Sequence, residues 1–148
     1  MNIGLATPGV GTVRRSQTNQ FLWGGPQAQV LEMGFQIDPT SVDSGSNNTK
    51  VLRPGLAMGR ITATGLLKQF DNAAVDGTQN LVGFLKEETP LIDGYGMNYA
   101  LGAQQQVIVA GPVKAKSVLI GGVTLIGVAS EAAIRTKIRV RFPIDDEI

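Results

Sequence analysis

Glycine and proline interrupt this chain at short intervals, and this spacing limits the folds that are open to it. The 148 residues include 19 glycines and seven prolines, above the share of about 12% that is typical of proteins. They lie between short apolar runs, so little room is left for long helices. Such a pattern is typical of an all-β protein with many turns. We therefore expect a mainly β fold with little helix.

Length and composition favour a single folded domain with an extended N-terminal arm. Hydrophobic residues make up 43% of the chain and charged residues 17%, which is not the composition of a disordered protein. A chain of this size buries enough surface to fold without disulfides or metals. We find no internal repeat and no long linker. The predicted division is an arm at 1–27 and a single β-rich domain at 28–148.

The segment 1–27 differs from the rest of the chain, because its only charged residues are Arg14 and Arg15. A frayed terminus is one interpretation, since unanchored ends are usually poorly ordered. The other is an arm that becomes ordered on a partner by adding a strand to it, which the aromatic residues favour. The candidate contact residues of this arm are Ile3, Leu5, Val10, Val13, Arg14, Arg15, Phe21 and Trp23.

Alternating and continuous apolar runs predict the strands of the domain. Turns are expected at 53–55, 76–78, 93–96 and 111–112, where Gly, Pro and Asp cluster. The segment 66–75 fits a helical turn as well as a strand, and 130–133 fits a short helical turn. The predicted strands are 29–37, 60–64, 81–86, 106–110, one or two within 118–128, and 134–142.

The last predicted strand, 134–142, has the sharpest alternation in the chain. It would place Arg135, Lys137, Arg139 and Arg141 on one face and apolar residues on the other. Three interpretations are open for this face. It is a solvated surface that discourages edge-to-edge aggregation, a surface for an acidic protein partner, or a nucleic-acid surface. The last is disfavoured, because no aromatic stacking platform lies nearby.

The residue types that are absent from the sequence exclude several kinds of chemistry. The chain has no His and no Cys, which removes Ser-His-Asp and Cys-His nucleophile pairs, zinc fingers and thiol redox sites. Phosphate-binding and dinucleotide-binding glycine motifs are also absent. Acids that could form a glycosidase pair lie in turns or at strand ends, at Asp71, Asp76, Glu87, Glu88 and Asp93. We expect no enzyme, no metal and no cofactor.

The charge balance predicts neither a nucleic-acid nor a membrane partner. The formal net charge is +1, which gives no general attraction to polyanions. The most apolar of the uncharged runs has 14 residues, 117–130, whereas a membrane-spanning helix needs about 20. No secretory signal pattern is visible at the N-terminus. We expect a soluble protein that is made in the cytoplasm.

The stretches VLRPGLAMGRITATG (51–65) and DNAAVDGTQNLVGFL (71–85) resemble the head decoration proteins of tailed bacteriophages, the lambda-like cement family. The shared pattern is a Pro-Gly turn, a strand ending in an ATG-like corner, an acidic loop with Asp-Gly, and a buried strand with Val-Gly followed by two apolar residues. The strand at 106–110 also looks like a later strand of that family.

This resemblance implies a compact β-tulip or barrel-like domain that decorates and stabilises the expanded capsid. It further implies a homotrimer at three-fold or pseudo-three-fold positions, whose N-terminal arms add strands to the major capsid protein. The location would be the outer surface of the virion head. The alternative class is a β-sandwich adhesin or carbohydrate-binding module. Such a module should expose an aromatic platform, for which Tyr95 and Tyr99 are the candidates, and we expect that no such platform is bare.

Overall fold

A computed structural model of the chain describes residues 29–30, 34–99 and 102–146. The chain is mainly β and contains a strongly curled, half-barrel sheet. The fold class that the glycine and proline spacing predicts is therefore confirmed. No helix in the described ranges has the length and the apolar character needed to cross a lipid bilayer. The predicted arm at 1–27 lies outside the described residues.

The strands are short, and turns separate most of them. In chain order the described strands are β1 (Gln29–Val30), β2 (Phe35–Ile37), β3 (Val51–Leu52), β4 (Ala57–Arg60), β5 (Leu67–Gln69), β6 (Leu81–Leu85), β7 (Thr89–Pro90), β8 (Ala103–Gln105), β9 (Val107–Ala110), β10 (Val113–Lys114), β11 (Leu119–Ile120), β12 (Val123–Thr124) and β13 (Ile144–Asp145). A short 3-10 helix covers Leu125–Gly127, and the helix α1 covers Glu131–Arg139.

One large sheet organises the fold. Among the described residues it has seven strands in the order β1-β9-β6-β4-β5-β2-β8. Neighbouring strands are antiparallel except for β2 and β5, which are parallel. Three strand pairs lie outside this sheet: β10 with β13, β11 with β12, and β3 with β7. The centre of the sheet is formed by β6 and β4, which come from the two stretches that resemble decoration proteins.

Both faces of this sheet are covered by apolar side chains. Side chains alternate between the faces along a strand, so Phe84 and Ile108 belong to one core cluster while Leu85 and Val107 belong to the other. The first cluster includes residues of α1. The rings of Phe84 and Phe142 pack edge to face in it, with their centroids 4.9 Å apart. Two-sided burial explains why β6 reads as a continuous apolar run.

Several predicted elements agree with the structure within a residue or two. The predicted strands 81–86 and 106–110 are β6 and β9. The segment 118–128 contains the hairpin β11–β12, which turns at Gly121 and Gly122. The ambiguous segment 66–75 contains the strand β5 followed by loop. Within the predicted strand 29–37, β1 and β2 are separate strands, and residues 31–33 lie outside the described ranges.

The strand predicted at 60–64 is wrong in position. The strand is β4, which ends at Arg60, and residues 62–64 form a turn. The amide of Gly65 donates to the carbonyl of Ile61 at 2.8 Å, which closes this turn. Gly65 has φ +76°, a left-handed conformation that glycine adopts without strain. The apolar and polar alternation thus continues past the point at which the chain reverses.

The strand predicted at 134–142 is also wrong, because residues 134–139 belong to the helix α1. Ile134 and Ile138 are spaced by four residues and are both buried, whereas Val140 is 79% exposed. The spacing of four matches one face of a helix, and the N-terminal Glu131-Ala132-Ala133 favours helix formation. The four cations therefore do not share one face. Arg135, Lys137 and Arg139 lie on the helix and Arg141 follows its end.

Candidate functional site

The candidate contact residues of the arm lie outside the described residues: Ile3, Leu5, Val10, Val13, Arg14, Arg15, Phe21 and Trp23. Their role in binding a partner stays a prediction from the sequence.

Arg135 is neutralised within the domain. Its Nε lies 2.7 Å from Oε1 of Glu131, one helical turn earlier, and a terminal nitrogen lies 2.6 Å from Oδ1 of Asp146. The hydrogen bonds that Arg135 donates to Asp146 and, with a smaller effect, to Glu131 raise the pKa of Arg135. The guanidinium group thus joins the helix to the segment that follows β13. Because it is already paired, it is a poor candidate for binding an acidic partner.

Lys137 points in a different direction and is also engaged. Its Nζ donates to Oδ1 of Asn72 at 2.7 Å and to the carbonyl of Gln79 at 2.9 Å. The same ammonium group lies 5.6 Å from the centroid of the Phe70 ring, a cation–π distance. Lys137 therefore joins the helix to the loop between β5 and β6.

Arg141 lies in a surface cleft of about 420 Å³ together with Arg60. The cleft also includes Thr62, Asn80, Leu81 and Val82. Arg60 belongs to β4 and Arg141 follows α1, so residues that are distant in the sequence meet here. Sequence reasoning did not associate these two arginines, because no local pattern reports a contact between them.

The turn predicted at 93–96 forms the tip of a small hairpin. An isolated bridge joins Ile92 to Asn98. Oδ1 of Asp93 accepts hydrogen bonds from the amides of Tyr95 at 2.8 Å and Met97 at 2.9 Å. The amide of Asp93 donates to the carbonyl of Met97 at 2.9 Å. The tip is therefore held in shape by its own aspartate.

This tip exposes large apolar side chains. Tyr95 is 94% exposed, Met97 66% and Tyr99 43%. The expectation that no bare aromatic pair would be present is therefore wrong. Sequence reasoning had named both tyrosines but had no signal for their exposure, because tyrosine occurs with both buried and exposed rings.

Among the five acids considered for catalysis, Asp71 lines a second cleft of the described surface. That second cleft, of about 340 Å³, is formed mainly by the start of the β5–β6 loop and the residues before α1. Asp76 instead accepts hydrogen bonds from the amide and hydroxyl of Thr78, which lower its pKa. Within the described residues, no group of three or more acidic side chains is placed to hold a metal ion.

Comparisons with known proteins found no matching family model, no matching curated protein and no matching solved structure.

Proposed function

We propose that this protein decorates and stabilises the expanded capsid of a tailed bacteriophage. It would bind the outer surface of the head as a homotrimer at three-fold or pseudo-three-fold positions, after synthesis in the host cytoplasm. The partner would be the major capsid protein, to which the arms at 1–27 add strands. No enzymatic step, cofactor, nucleic acid or membrane is required.

The observation that carries the proposal is how the two decoration-like stretches fold. The turn at 53–55 leads into β4, and the Asp-Gly loop at 76–77 leads into β6. These strands pair with each other, with Ala57 opposite Phe84. The stretches that resemble the cement family therefore lie side by side at the centre of the sheet, as parts of one folding unit would.

The physics of a repeating lattice also supports this function. Three linked arms increase affinity by factors of about 10² to 10⁴ without new kinds of contact, provided that all three can bind together. Each arm can then be weak, with a few apolar anchors and little charge, which is the composition of 1–27. A protein that binds only the expanded shell stabilises that state by mass action.

Co-sedimentation with capsid shells tests the proposal. Unexpanded and expanded shells that lack decoration would be mixed with the full chain and with a version that starts at Gln27. We expect saturable binding to expanded shells only, and its loss or strong weakening in the shortened protein. Binding that survives the truncation would move the contact to the β domain. Absence of binding to either shell would contradict the proposal.

Carbohydrate binding is a second candidate, and the exposed tip favours it. Sugar rings pack on the faces of aromatic side chains. The side chain of Tyr95 is 94% exposed, on a hairpin whose tip is held by hydrogen bonds to Asp93. A glycan screen would compare the natural protein with Tyr95→Ala. Val75→Ala is the matched control, because Val75 is also an exposed apolar side chain, at 95%, on a different loop. Binding that only Tyr95→Ala removes would support this candidate, and no binding to any glycan would dismiss it.

A further inference from the structure

Three arginines of the described surface, Arg60, Arg139 and Arg141, make no ion pair with a described acid. Arg135 pairs with Glu131 and Asp146. Arg53 pairs with Asp43. Arg139 lies close enough to Asp146 for its positive charge to help lower the pKa of that acid, after the larger effect of the Arg135 hydrogen bond. Arg139 lies outside the surface cleft that Arg60 and Arg141 share.

Arg60 and Arg141 line the same cleft, and a backbone carbonyl holds each of them. Nε of Arg60 donates to the carbonyl of Gly65 at 3.1 Å, and a terminal nitrogen of Arg141 donates to the carbonyl of Leu81 at 2.7 Å. Each guanidinium group has five N–H donors in a fixed planar arrangement. Several donors of each therefore remain for a ligand, on side chains whose position is already restricted.

The rest of the cleft carries no negative charge. Its other described lining residues are Thr62, Asn80, Leu81 and Val82. Asp76 lies on the adjacent loop, and its backbone carbonyl accepts a hydrogen bond from the amide of Thr62 at 2.9 Å. The carboxylate of Asp76 accepts hydrogen bonds from Thr78, which lower its pKa, and the charge of Lys68 adds a smaller lowering. Two positive charges thus share a cleft in which an anion would relieve their repulsion.

We propose that this cleft binds the carboxylate of an Asp or Glu side chain on a segment of a partner protein. Guanidinium groups bind carboxylates through paired, charge-assisted hydrogen bonds. The hydroxyl of Thr62 and the amide of Asn80 supply further donors. Leu81 and Val82, the first residues of β6, also line the cleft and are half-buried, so part of its wall is apolar.

A protein carboxylate fits this cleft better than a nucleic acid does. Among its described lining residues there is no aromatic side chain on which a base could stack, and stacking supplies much of single-strand binding. Affinity for duplexes comes from many cations along a phosphate backbone, whereas the whole chain has a net charge of +1. The cleft therefore combines two cations with apolar surface. This combination is complementary to a peptide that carries both acidic and apolar side chains.

The inference goes beyond the proposed function and is tested without a capsid. The probe is the peptide acetyl-Leu-Glu-Glu-Leu-amide, and acetyl-Leu-Gln-Gln-Leu-amide is its uncharged counterpart. Each would be titrated into the full-length, ¹⁵N-labelled protein at constant ionic strength, with the arginine Nε–H signals followed by NMR. We expect saturable shifts at Arg60 and Arg141 with the Glu peptide only.

Two variants separate this cleft from general positive charge. Arg141→Gln should weaken binding of the Glu peptide by about tenfold or more, the loss of a charge-assisted pair. Arg139→Gln removes the same charge from the exposed end of α1, outside the cleft, and should leave the affinity unchanged. If Arg141→Gln does not fold, the shifts of the Arg60 and Arg141 Nε–H signals in the natural protein, compared between the two peptides, still test the proposal.

Other outcomes would overturn the proposal. Equal shifts with the Gln peptide would show that charge is not recognised. Equal weakening by Arg139→Gln would show that the attraction is not specific to the cleft. Tighter binding of inorganic phosphate than of the Glu peptide, at the same ionic strength, would identify a phosphate site rather than a carboxylate site.

Discussion

Asp43 is fully buried, and its carboxylate holds the loop 38–50 against the turn at 53–55. The carboxylate accepts hydrogen bonds from Nε of Arg53 at 2.7 Å and from a terminal nitrogen of Arg53 at 2.8 Å. The backbone amides of Arg53 and Gly45 donate to it as well. Burial alone raises the pKa of Asp43, but these hydrogen bonds and the Arg53 charge together lower it. A single side chain thus joins two segments of the chain.

Asp43→Asn should destabilise the protein by about 1.5–3 kcal/mol, the usual range for a hydrogen bond to a charged group. Because the pKa of Asp43 is lowered on folding, its contribution is complete above the unfolded value of about 3.9. The contribution is lost as the pH falls through the folded value. Urea unfolding of both proteins at a series of acidic pH values measures this difference.

The control for this prediction is Glu88→Gln, which removes a carboxylate from an exposed position before β7. It should change the free energy of unfolding by no more than about 0.5 kcal/mol. A difference between natural protein and Asp43→Asn that stays constant down to the lowest pH would contradict the assignment.

Gly83 shows why one residue in the decoration-like pattern cannot carry a side chain. It lies within β6, and an added Cβ would overlap the carbonyl oxygen of Ile108 on β9. Gly83→Ala should lower the free energy of unfolding by about 1–3 kcal/mol, the usual cost of overpacking. Chemical denaturation measures this loss.

Gly127→Ala is the matched control for Gly83, because a Cβ there would meet nothing within 4 Å. Its stability should be unchanged or slightly higher, since alanine has less freedom than glycine in the unfolded chain. If both variants lost the same stability, the close approach of β6 and β9 would not be the reason.

At the scale of elements, the segment of α1 could follow the spacing of a helix or the alternation of a strand, and two substitutions distinguish them. Ile138 is 1% exposed and Val140 is 79% exposed, although a strand would place both on the apolar face. Ile138→Ala should cost about 2–5 kcal/mol, as for other fully buried aliphatic residues. Val140→Ala should change stability by less than about 0.5 kcal/mol. Similar losses in the two variants, measured by urea unfolding, would favour the strand.

Elements whose partners are close in the chain were the most predictable. The hairpin β11–β12 turns at the two glycines that mark it in the sequence. The strand β6 is a continuous apolar run because it is buried on both faces. The strand predicted at 134–142 was wrong, because Ile134, Ile138 and Phe142 fit a spacing of four as well as one of two. A helix satisfies its own backbone hydrogen bonds, whereas a strand needs a neighbouring edge.

At the scale of the whole molecule, the predicted division at residue 27 has a measurable consequence. Both described core clusters take their buried residues from Ile37 to Phe142. Because the sequence assigns 1–27 to an arm outside the domain, a protein that starts at Gln27 should unfold cooperatively, with a free energy of unfolding close to that of the full chain. Thermal and urea unfolding of the two proteins measure this. A large loss of stability would mean that residues 1–26 pack against the domain rather than serving only as an arm.

Features of the candidate sites that depend on neighbouring residues were predictable from the sequence, whereas those that depend on distant residues were not. The turn at 93–96 was visible as Asp-Gly-Tyr-Gly, because a short polar side chain that bonds to nearby amides favours a turn. The exposure of Tyr95 was not visible, since it depends on how the rest of the chain packs. The meeting of Arg60 with Arg141 was equally hidden, because the two lie on elements far apart in the sequence.

By itself the sequence determined the β-rich class, the short elements and most turns. These follow from local chemistry: the permissive backbone of glycine, the fixed φ of proline and the alternation of apolar residues. The tertiary structure alone decided that 131–139 is helical and which of the described arginines make ion pairs. Those outcomes depend on contacts between distant segments, such as Phe84 with Phe142 and Arg135 with Asp146, whose energies are realised only once the sheet has formed.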